Sequence, residues 1–96
     1  MDLKLQPEKP ANAYYSLRGS AFILNCTVTV GNVQALNITW KHNGKWLGHE
    51  VEQVDSSTVQ LKLSNTSRIY NGFYLCGPKL GNRSQGINIS LTVAGN

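Results

Sequence analysis

Residues 21–30 have the sequence AFILNCTVTV, and this stretch decides the predicted fold. Its even-numbered positions from Phe22 to Val28 hold apolar residues or cysteine, whereas the odd-numbered positions from Ile23 to Thr29 are mostly polar. Successive side chains of a β-strand point to opposite faces, so a period of two indicates a strand with one face in a core. The stretch is therefore predicted to be a half-buried strand.

The same alternation recurs along the chain between turn signals. It predicts strands over 21–30, 37–42, 45–48, 57–63, 73–77 and 86–93. Asn43-Gly44 is a residue pair that tolerates positive φ in a two-residue hairpin, and it separates the second strand from the third. Helix is limited to at most a turn within 64–70. Short strands with turn signals every eight to twelve residues are typical of an all-β sandwich.

Length and composition predict one small folded domain spanning 1–96. Charged residues make up 15% of the chain and hydrophobic residues 41%, which excludes a disordered chain of low hydrophobicity. The net charge is +4, but the basic residues are scattered from Lys4 to Arg83 without a run or an aromatic-interleaved stripe. Nucleic-acid binding is not expected, because it requires clustered basic residues.

Five Asn-x-Ser/Thr acceptors place the chain in the secretory pathway. They are Asn25, Asn37, Asn65, Asn82 and Asn88. Met1 is followed by Asp2 and Lys4 rather than by an apolar stretch, and no run approaches the roughly 20 apolar residues of a membrane span. We expect a location outside the cell, secreted or on the outer side of the plasma membrane. Membrane attachment is expected only through a segment outside these 96 residues.

The two cysteines are interpreted as one disulfide. By count alone Cys26 and Cys76 could equally be two cytosolic thiols, but disulfides persist in the compartment that the acceptors indicate. Both cysteines fall on the apolar faces of their strands, where they could meet across a core with Trp40 packed against the bridge. The acceptor asparagines agree with this assignment of faces. Asn25, Asn37 and Asn88 fall on outward strand positions, and Asn65 and Asn82 fall in loops.

These residues carry a family resemblance. Cys26, Trp40 and the run Gly72-x-Tyr74-x-Cys76 resemble the Cys…Trp…Gly-x-Tyr-x-Cys framework of the immunoglobulin superfamily, over nearly the whole chain. The resemblance implies a two-sheet Greek-key sandwich with one inter-sheet disulfide, in which the six strands are B, C, C′, E, F and G. It also implies that Tyr74 forms a tyrosine corner, its hydroxyl bonding to nearby backbone. Tyr70 departs from the pattern, because the family usually has Asp there.

The spacing of the cysteines indicates the kind of immunoglobulin domain. Cys26 and Cys76 are 50 positions apart, too close for the extra strand pair of a variable domain. A C2-like or I-like domain of a receptor or adhesion glycoprotein is expected.

Catalysis, cofactors and metal are not expected. His42 and His49 stand seven positions apart without Cys-x-x-Cys or His-x-x-x-His spacing, so they do not form a metal-ligand pattern. Ser56, His49 and Asp55 contain a triad's residue types, but no nucleophile elbow accompanies them.

Trp46 marks a candidate binding face. If Asn43-Gly44 is the turn, Lys41 pairs with Trp46, so Trp46 lies on the face opposite the core residue Trp40. Phe73 and Leu75 point outward on the neighbouring strand by the same parity. Two interpretations stand: the Trp46 ring packs on Lys41 or over a sheet edge, or it anchors a partner. Asn37, Asn82 and Asn88 are expected at the opposite end of this sheet, which would leave the Trp46 end free of glycan.

The expected function is recognition outside the cell. The partner would be a protein ligand or a sister receptor subunit, bound at Trp46, Lys41, Phe73 and Leu75. Alternatives are a spacer or subunit-docking domain of a larger receptor, and an immunoglobulin-like domain of a viral glycoprotein.

Overall fold

The fold is seen in a computed structural model, which describes residues 2–30, 37–80 and 85–95. These residues contain nine strands: β1 (Asp2–Gln6), β2 (Ala13–Leu17), β3 (Phe22–Val30), β4 (Ile38–His42), β5 (Lys45–Trp46), β6 (Val51–Asp55), β7 (Thr58–Leu63), β8 (Gly72–Pro78) and β9 (Ile87–Ala94). Single turns of 3-10 helix lie at Pro10–Asn12 and Arg68–Tyr70, the second within the stretch where one turn was expected.

The strands form two sheets that pack face to face. One has the order β1-β3-β7-β6 and the other the order β2-β9-β8-β4-β5. Strands β2 and β9 run parallel, and the other pairs run antiparallel. This is the constant-type arrangement of immunoglobulin domains with β2 and β5 added to the second sheet. The second additional strand of a variable domain does not occur in the described part of the chain.

Five strands lie within one residue of their predicted ends: β3, β4, β7, β8 and β9. Strand β5 is shorter than the predicted 45–48, because the chain turns away from the sheet after Leu47, whose N–H still donates to the Trp40 carbonyl of β4 (3.2 Å). The Gly48 N–H donates to the Glu50 carboxylate (3.1 Å), and the Val51 N–H donates to the Gly48 carbonyl (3.0 Å). Strands β1, β2 and β6 were not predicted.

The inward faces of both sheets make a single core. Cys26 of β3 and Cys76 of β8 form a disulfide with their Cα atoms 6.6 Å apart. Trp40 is fully buried, and its Nε1–H donates to the Val59 carbonyl of the opposite sheet (3.2 Å). The predicted two-sheet sandwich with an inter-sheet disulfide is confirmed. The other large side chains that are fully buried are Tyr74, Leu24, Ile38, Leu61, Leu63, Ile89, Leu91 and Val59.

The hairpin between β4 and β5 fixes where Trp46 lies. Asn43 (φ 48°) and Gly44 (φ 83°) both have positive φ, as a type I′ turn requires. Lys41 consequently pairs with Trp46. The Asn43 side-chain oxygen accepts the Phe73 N–H (2.9 Å), which ties this turn to β8. Gly72 has φ 134°, and a Cβ there would collide with that Asn43 side chain, so this position requires glycine.

Tyr74 makes the hydrogen bond of a tyrosine corner. Its hydroxyl donates to the Tyr70 carbonyl at 2.6 Å. Because the acceptor is a backbone carbonyl, tyrosine in place of the usual Asp at position 70 does not disturb the bond. Burial raises the pKa of Tyr74 far above its ordinary value, and nearby Tyr70 and Glu50 add to that rise. The folded state thus holds the neutral phenol.

Tyr74→Phe is expected to lower the free energy of unfolding by about 1–2 kcal/mol at neutral pH, because the Tyr70 carbonyl loses its donor. A raised folded-state pKa contributes stability that is complete below the unfolded pKa of about 10 and is lost as pH rises above it. The parent should therefore lose more stability than Tyr74→Phe between pH 7 and about pH 10.5. Guanidinium unfolding at both pH values measures this, with exposed Tyr15→Phe as control. Equal alkaline losses in parent and Tyr74→Phe would contradict it.

Candidate protein-binding face

The candidate site is the outward side of the β2-β9-β8-β4-β5 sheet, named here the sheet face. Strand pairing places four of its residues in one row across four strands. Trp46 of β5 pairs with Lys41 of β4, Lys41 pairs with Leu75 of β8, and Leu75 pairs with Asn88 of β9. Phe73 lies two positions before Leu75 on β8, so it projects from the same face. The four residues predicted to bind a partner are thus brought together.

Trp46 and Lys41 contact one another within this row. The Lys41 Nζ lies 4.1 Å from the centre of the Trp46 ring, within the range of a cation–π interaction. The packing of Trp46 on Lys41 considered from the sequence is therefore present. It leaves 53% of Trp46 exposed, so the ring remains available to a partner.

An open hollow lies beside this pair. Its volume is about 620 Å³. Phe73 is 69% exposed at its margin, and Leu75 is half-buried. The lining residues are Lys41, Asn43, Gly44, Phe73, Tyr74, Leu75 and Asn88. The hollow and the Trp46 ring, which lies on the edge strand β5, together offer apolar surface on the sheet face.

Two further apolar residues extend the sheet face and were missed from the sequence. Tyr15 and Leu17 of β2 are 72% and 69% exposed. They point outward because Tyr14, between Ala13 and Tyr15, is buried in the core. Residues 13–17 show no apolar–polar alternation, so these outward positions can be identified only once β2 is recognised as a strand.

Charge is distributed unevenly between the two sheets. The strands of the β2-β9-β8-β4-β5 sheet contain Lys41 and Lys45 and no acidic residue. The five acidic residues of the chain are Asp2, Glu8, Glu50, Glu52 and Asp55, and all lie on β1, on β6 or in connections. On the sheet face itself the basic residue is Lys41, since Lys45 pairs with His42 and points to the other side. The face therefore has one lysine beside exposed aromatic residues and no carboxylate on its strands.

The outward side of the other sheet is more polar. Gln60 donates to the Asn25 side-chain oxygen (3.1 Å), and the hydroxyls of Thr27 and Thr58 are 2.9 Å apart. Ile23, which pairs with Lys62, is 46% exposed. Because these polar side chains hydrogen-bond to each other, they offer a partner fewer free donors and acceptors.

One of the acceptor asparagines, Asn88, does not lie where the sequence predicted. Asn37, Asn65 and Asn88 are exposed and Asn25 is partly buried, while Asn82 lies outside the described residues. Asn88 was expected at the end of the sheet away from Trp46. It pairs instead with Leu75 and lines the hollow, so the expectation is wrong for Asn88. The reason is register: β9 pairs with β8 so that its second residue already reaches the Leu75 row.

The two histidines contact neighbouring residues of the domain. His42 stacks on Tyr74 with ring centres 4.1 Å apart, and its Nε2–H donates to the Asn71 carbonyl (3.0 Å). His49 is within 3.8 Å of the Glu50 carboxylate. Over 2–30, 37–80 and 85–95, no group of three or more His, Cys, Asp or Glu side chains could hold a metal ion. The same residues contain no helix long and apolar enough to cross a membrane.

Comparisons with known proteins agree with this architecture. No family model matches the chain. The vascular endothelial growth factor receptor 1 of Rattus norvegicus is 28% identical over an alignment of 102 positions that covers 97% of this chain and 7% of the receptor. The chain thus spans a small fraction of that curated relative.

Solved structures share the fold at low sequence identity. A Dpr2 Ig1-Ig2 complex with DIP-Theta Ig1-Ig3 contains a chain with a TM-score of 0.72 and 17% identity, covering all of this chain and 51% of that one. The N-terminal four Ig domains of Dscam1 match with a TM-score of 0.65 and 20% identity, covering 96% and 20%. Together with the Cys26–Cys76 bridge, the buried Trp40 and the Tyr74 corner, these matches identify the chain as an immunoglobulin-like domain.

Proposed function

We propose that the chain is a recognition domain that works outside the cell and binds an acidic protein surface through the sheet face. The observation that carries the proposal is the exposed aromatic and basic row on a sheet whose strands contain no carboxylate. Trp and Tyr are enriched among the residues that dominate binding energy, and complementary charge selects the partner. The five acceptor asparagines and the disulfide support the extracellular setting.

The dimensions of the domain are compatible with such an interface. The Cα atoms extend over 44 × 23 × 23 Å. A standard interface buries about 800 Å² on each partner, and one long side of this domain is large enough to supply that area. Trp46, Phe73 and the half-buried Leu75 would form its apolar centre, with Lys41 meeting a carboxylate of the partner. The similarity to a growth factor receptor, and to an Ig domain solved in complex with another Ig protein, supports a recognition role of this kind.

Trp46→Ala and Lys41→Glu are each expected to weaken binding at least about tenfold, because the first removes an aromatic anchor and the second reverses the charge that meets the partner. The measurement is binding of an oligomerised form of the chain to a panel of purified ectodomains, followed by titration of each hit. Weaker binding in high salt should accompany the interaction, since its charged part is screened.

The matched controls are Ile23→Ala and Lys62→Glu. These residues form an apolar and basic cross-strand pair on the opposite sheet, so the same two chemical changes are made away from the sheet face. They should leave binding unchanged, and circular dichroism should show all four variants folded. If the control variants bind a hit more weakly while the Trp46 and Lys41 variants bind it like the parent, the site lies on the other sheet. An absence of hits for the chain with an unmodified Asn88 would favour the spacer function.

A further inference from the structure

Asn88 is an acceptor asparagine inside the sheet face. The sequence Asn88-Ile89-Ser90 meets the requirement for N-linked glycosylation. The Asn88 side chain is exposed, and its amide takes part in no hydrogen bond among the described residues, whereas Asn25 accepts one from Gln60. The Asn88 backbone carbonyl accepts from the Asn12 side chain (3.2 Å), which holds this part of β9 in place.

The nearest neighbours of Asn88 on strand β8 are apolar. Leu75 is its direct cross-strand partner, and both residues line the hollow with Phe73. Directly opposed residues have Cβ atoms about 5 Å apart, and diagonal neighbours are about 7 Å apart. Trp46 is three strands away, about 14 Å at the usual spacing between strands. A group attached to Asn88 thus meets Leu75 and Phe73 first.

We propose that an N-linked glycan on Asn88 lies over the hollow and closes the sheet face, so that only chains with an unmodified Asn88 present it to a partner. The Asn88 amide nitrogen forms the bond to the anomeric carbon of an oligosaccharide supplied by a lipid diphosphate donor. The nitrogen loses one proton and the lipid diphosphate leaves. Closure rests on the proposed function, while the position of the sugar does not.

The chemistry of the hollow suits the first sugars of a glycan. The C–H face of a pyranose ring is apolar and packs against aromatic and aliphatic side chains, here the 69%-exposed Phe73 and the half-buried Leu75. This contact removes apolar surface from water on both sides. The hydroxyls at the ring edge stay in water, and Asn43 at the margin of the hollow offers a polar contact. An acidic protein partner needs the same surface.

The position of the glycan is tested on the chain secreted from eukaryotic cells, with Ser90→Ala and Asn88→Gln as two independent ways to remove the acceptor. Ser67→Ala, which removes the exposed Asn65 acceptor, is the matched control. Mass spectrometry determines occupancy, and hydroxyl-radical labelling measures the accessibility of Phe73 and Leu75. Labelling of both should be several-fold lower in the parent than in Ser90→Ala and Asn88→Gln. Ile69, 76% exposed and on a different connection, serves as internal reference.

Two results would overturn the position of the glycan. One is an unmodified Asn88 in a chain whose Asn65 is occupied. The other is equal labelling of Phe73 in the parent and in both variants that lack the acceptor, while Asn88 is occupied in the parent.

Closure is tested with a partner found in the ectodomain panel, using separated glycoforms. The form with occupied Asn88 should bind at least about tenfold more weakly than Ser90→Ala. Equal binding by the two forms, with Phe73 protected, would overturn closure. If Trp46→Ala binds like the parent, the proposed function fails, and the labelling result still decides the position of the glycan by itself.

Discussion

Trp40→Ala is expected to lower the free energy of unfolding by about 3–5 kcal/mol, the range for truncating a large aromatic residue in a packed core. Trp40 is fully buried between the sheets. Its Nε1–H donates to the Val59 carbonyl, so the substitution leaves both a cavity and an acceptor without its donor. Natural domains are stable by roughly 5–15 kcal/mol, so this one change removes a large share of the total.

Trp46→Ala is the matched control, because it makes the same substitution on the other side of the same hairpin. Trp46 is 53% exposed and rests on Lys41, so its loss should cost about 1 kcal/mol or less. Urea titration followed by circular dichroism measures both variants without relying on tryptophan fluorescence. Similar losses in the two variants would mean that the Trp46 ring contributes to the core as much as Trp40 does.

The strands that could be predicted are those with one face in the core and one in water. Strand β3 alternates buried Phe22, Leu24 and Cys26 with more exposed residues. Strands β7, β8 and β9 show the same pattern, and the positive-φ pair Asn43-Gly44 gave the hairpin. In each case the signal is local, since period and turn chemistry are both contained in a few neighbouring residues.

Two of the three missed strands, β2 and β6, lack that local signal, whereas β1 has it and was overlooked, since Leu3 and Leu5 alternate with polar residues. In β2 the inward positions hold Tyr14 and the polar Ser16, which contacts the buried Thr66 hydroxyl (3.0 Å). The outward Tyr15 and Leu17 are apolar, so apolar and polar residues do not alternate along this strand. Strand β6 is almost wholly exposed and is a strand because it pairs with β7. Strand β2 pairs with the distant β9, and such pairing cannot be obtained from the sequence of either segment alone. Strand β6 pairs with β7 directly after it, but its exposed residues give no periodic signal.

The sequence predicted on which side of the sheet the candidate residues lie, but not which residues lie level with one another on neighbouring strands. Parity within each strand put Trp46, Lys41, Phe73 and Leu75 on one side, which needs no knowledge of long-range pairing. The position of Asn88 depends on how β9 aligns with β8. A shift of register along the strand moves an acceptor from the end of the strands to the level of Leu75 and Lys41. The error over Asn88 arose at this step.

Removal of the Cys26–Cys76 bridge is expected to cost about 2–5 kcal/mol, the range for small secreted domains. The bridge spans a sequence separation of 50. Chain entropy alone gives about 4 kcal/mol for a loop of that length, because the cross-link restricts the unfolded chain far more than the folded one. The cost therefore acts mainly through the unfolded state, unlike that of Trp40→Ala.

Reduction of the parent measures the contribution of the S–S bond alone to the free energy of unfolding, because both sulfur atoms stay in the core. Guanidinium unfolding with and without reductant should show a lower midpoint for the reduced chain. Its slope should be steeper, because an unfolded chain without the cross-link exposes more surface. The double variant Cys26→Ala/Cys76→Ala loses the sulfur atoms as well, so it should be less stable than the reduced parent and indifferent to reductant. An unchanged midpoint on reduction, or two free thiols in the non-reduced protein by mass spectrometry, would contradict this account.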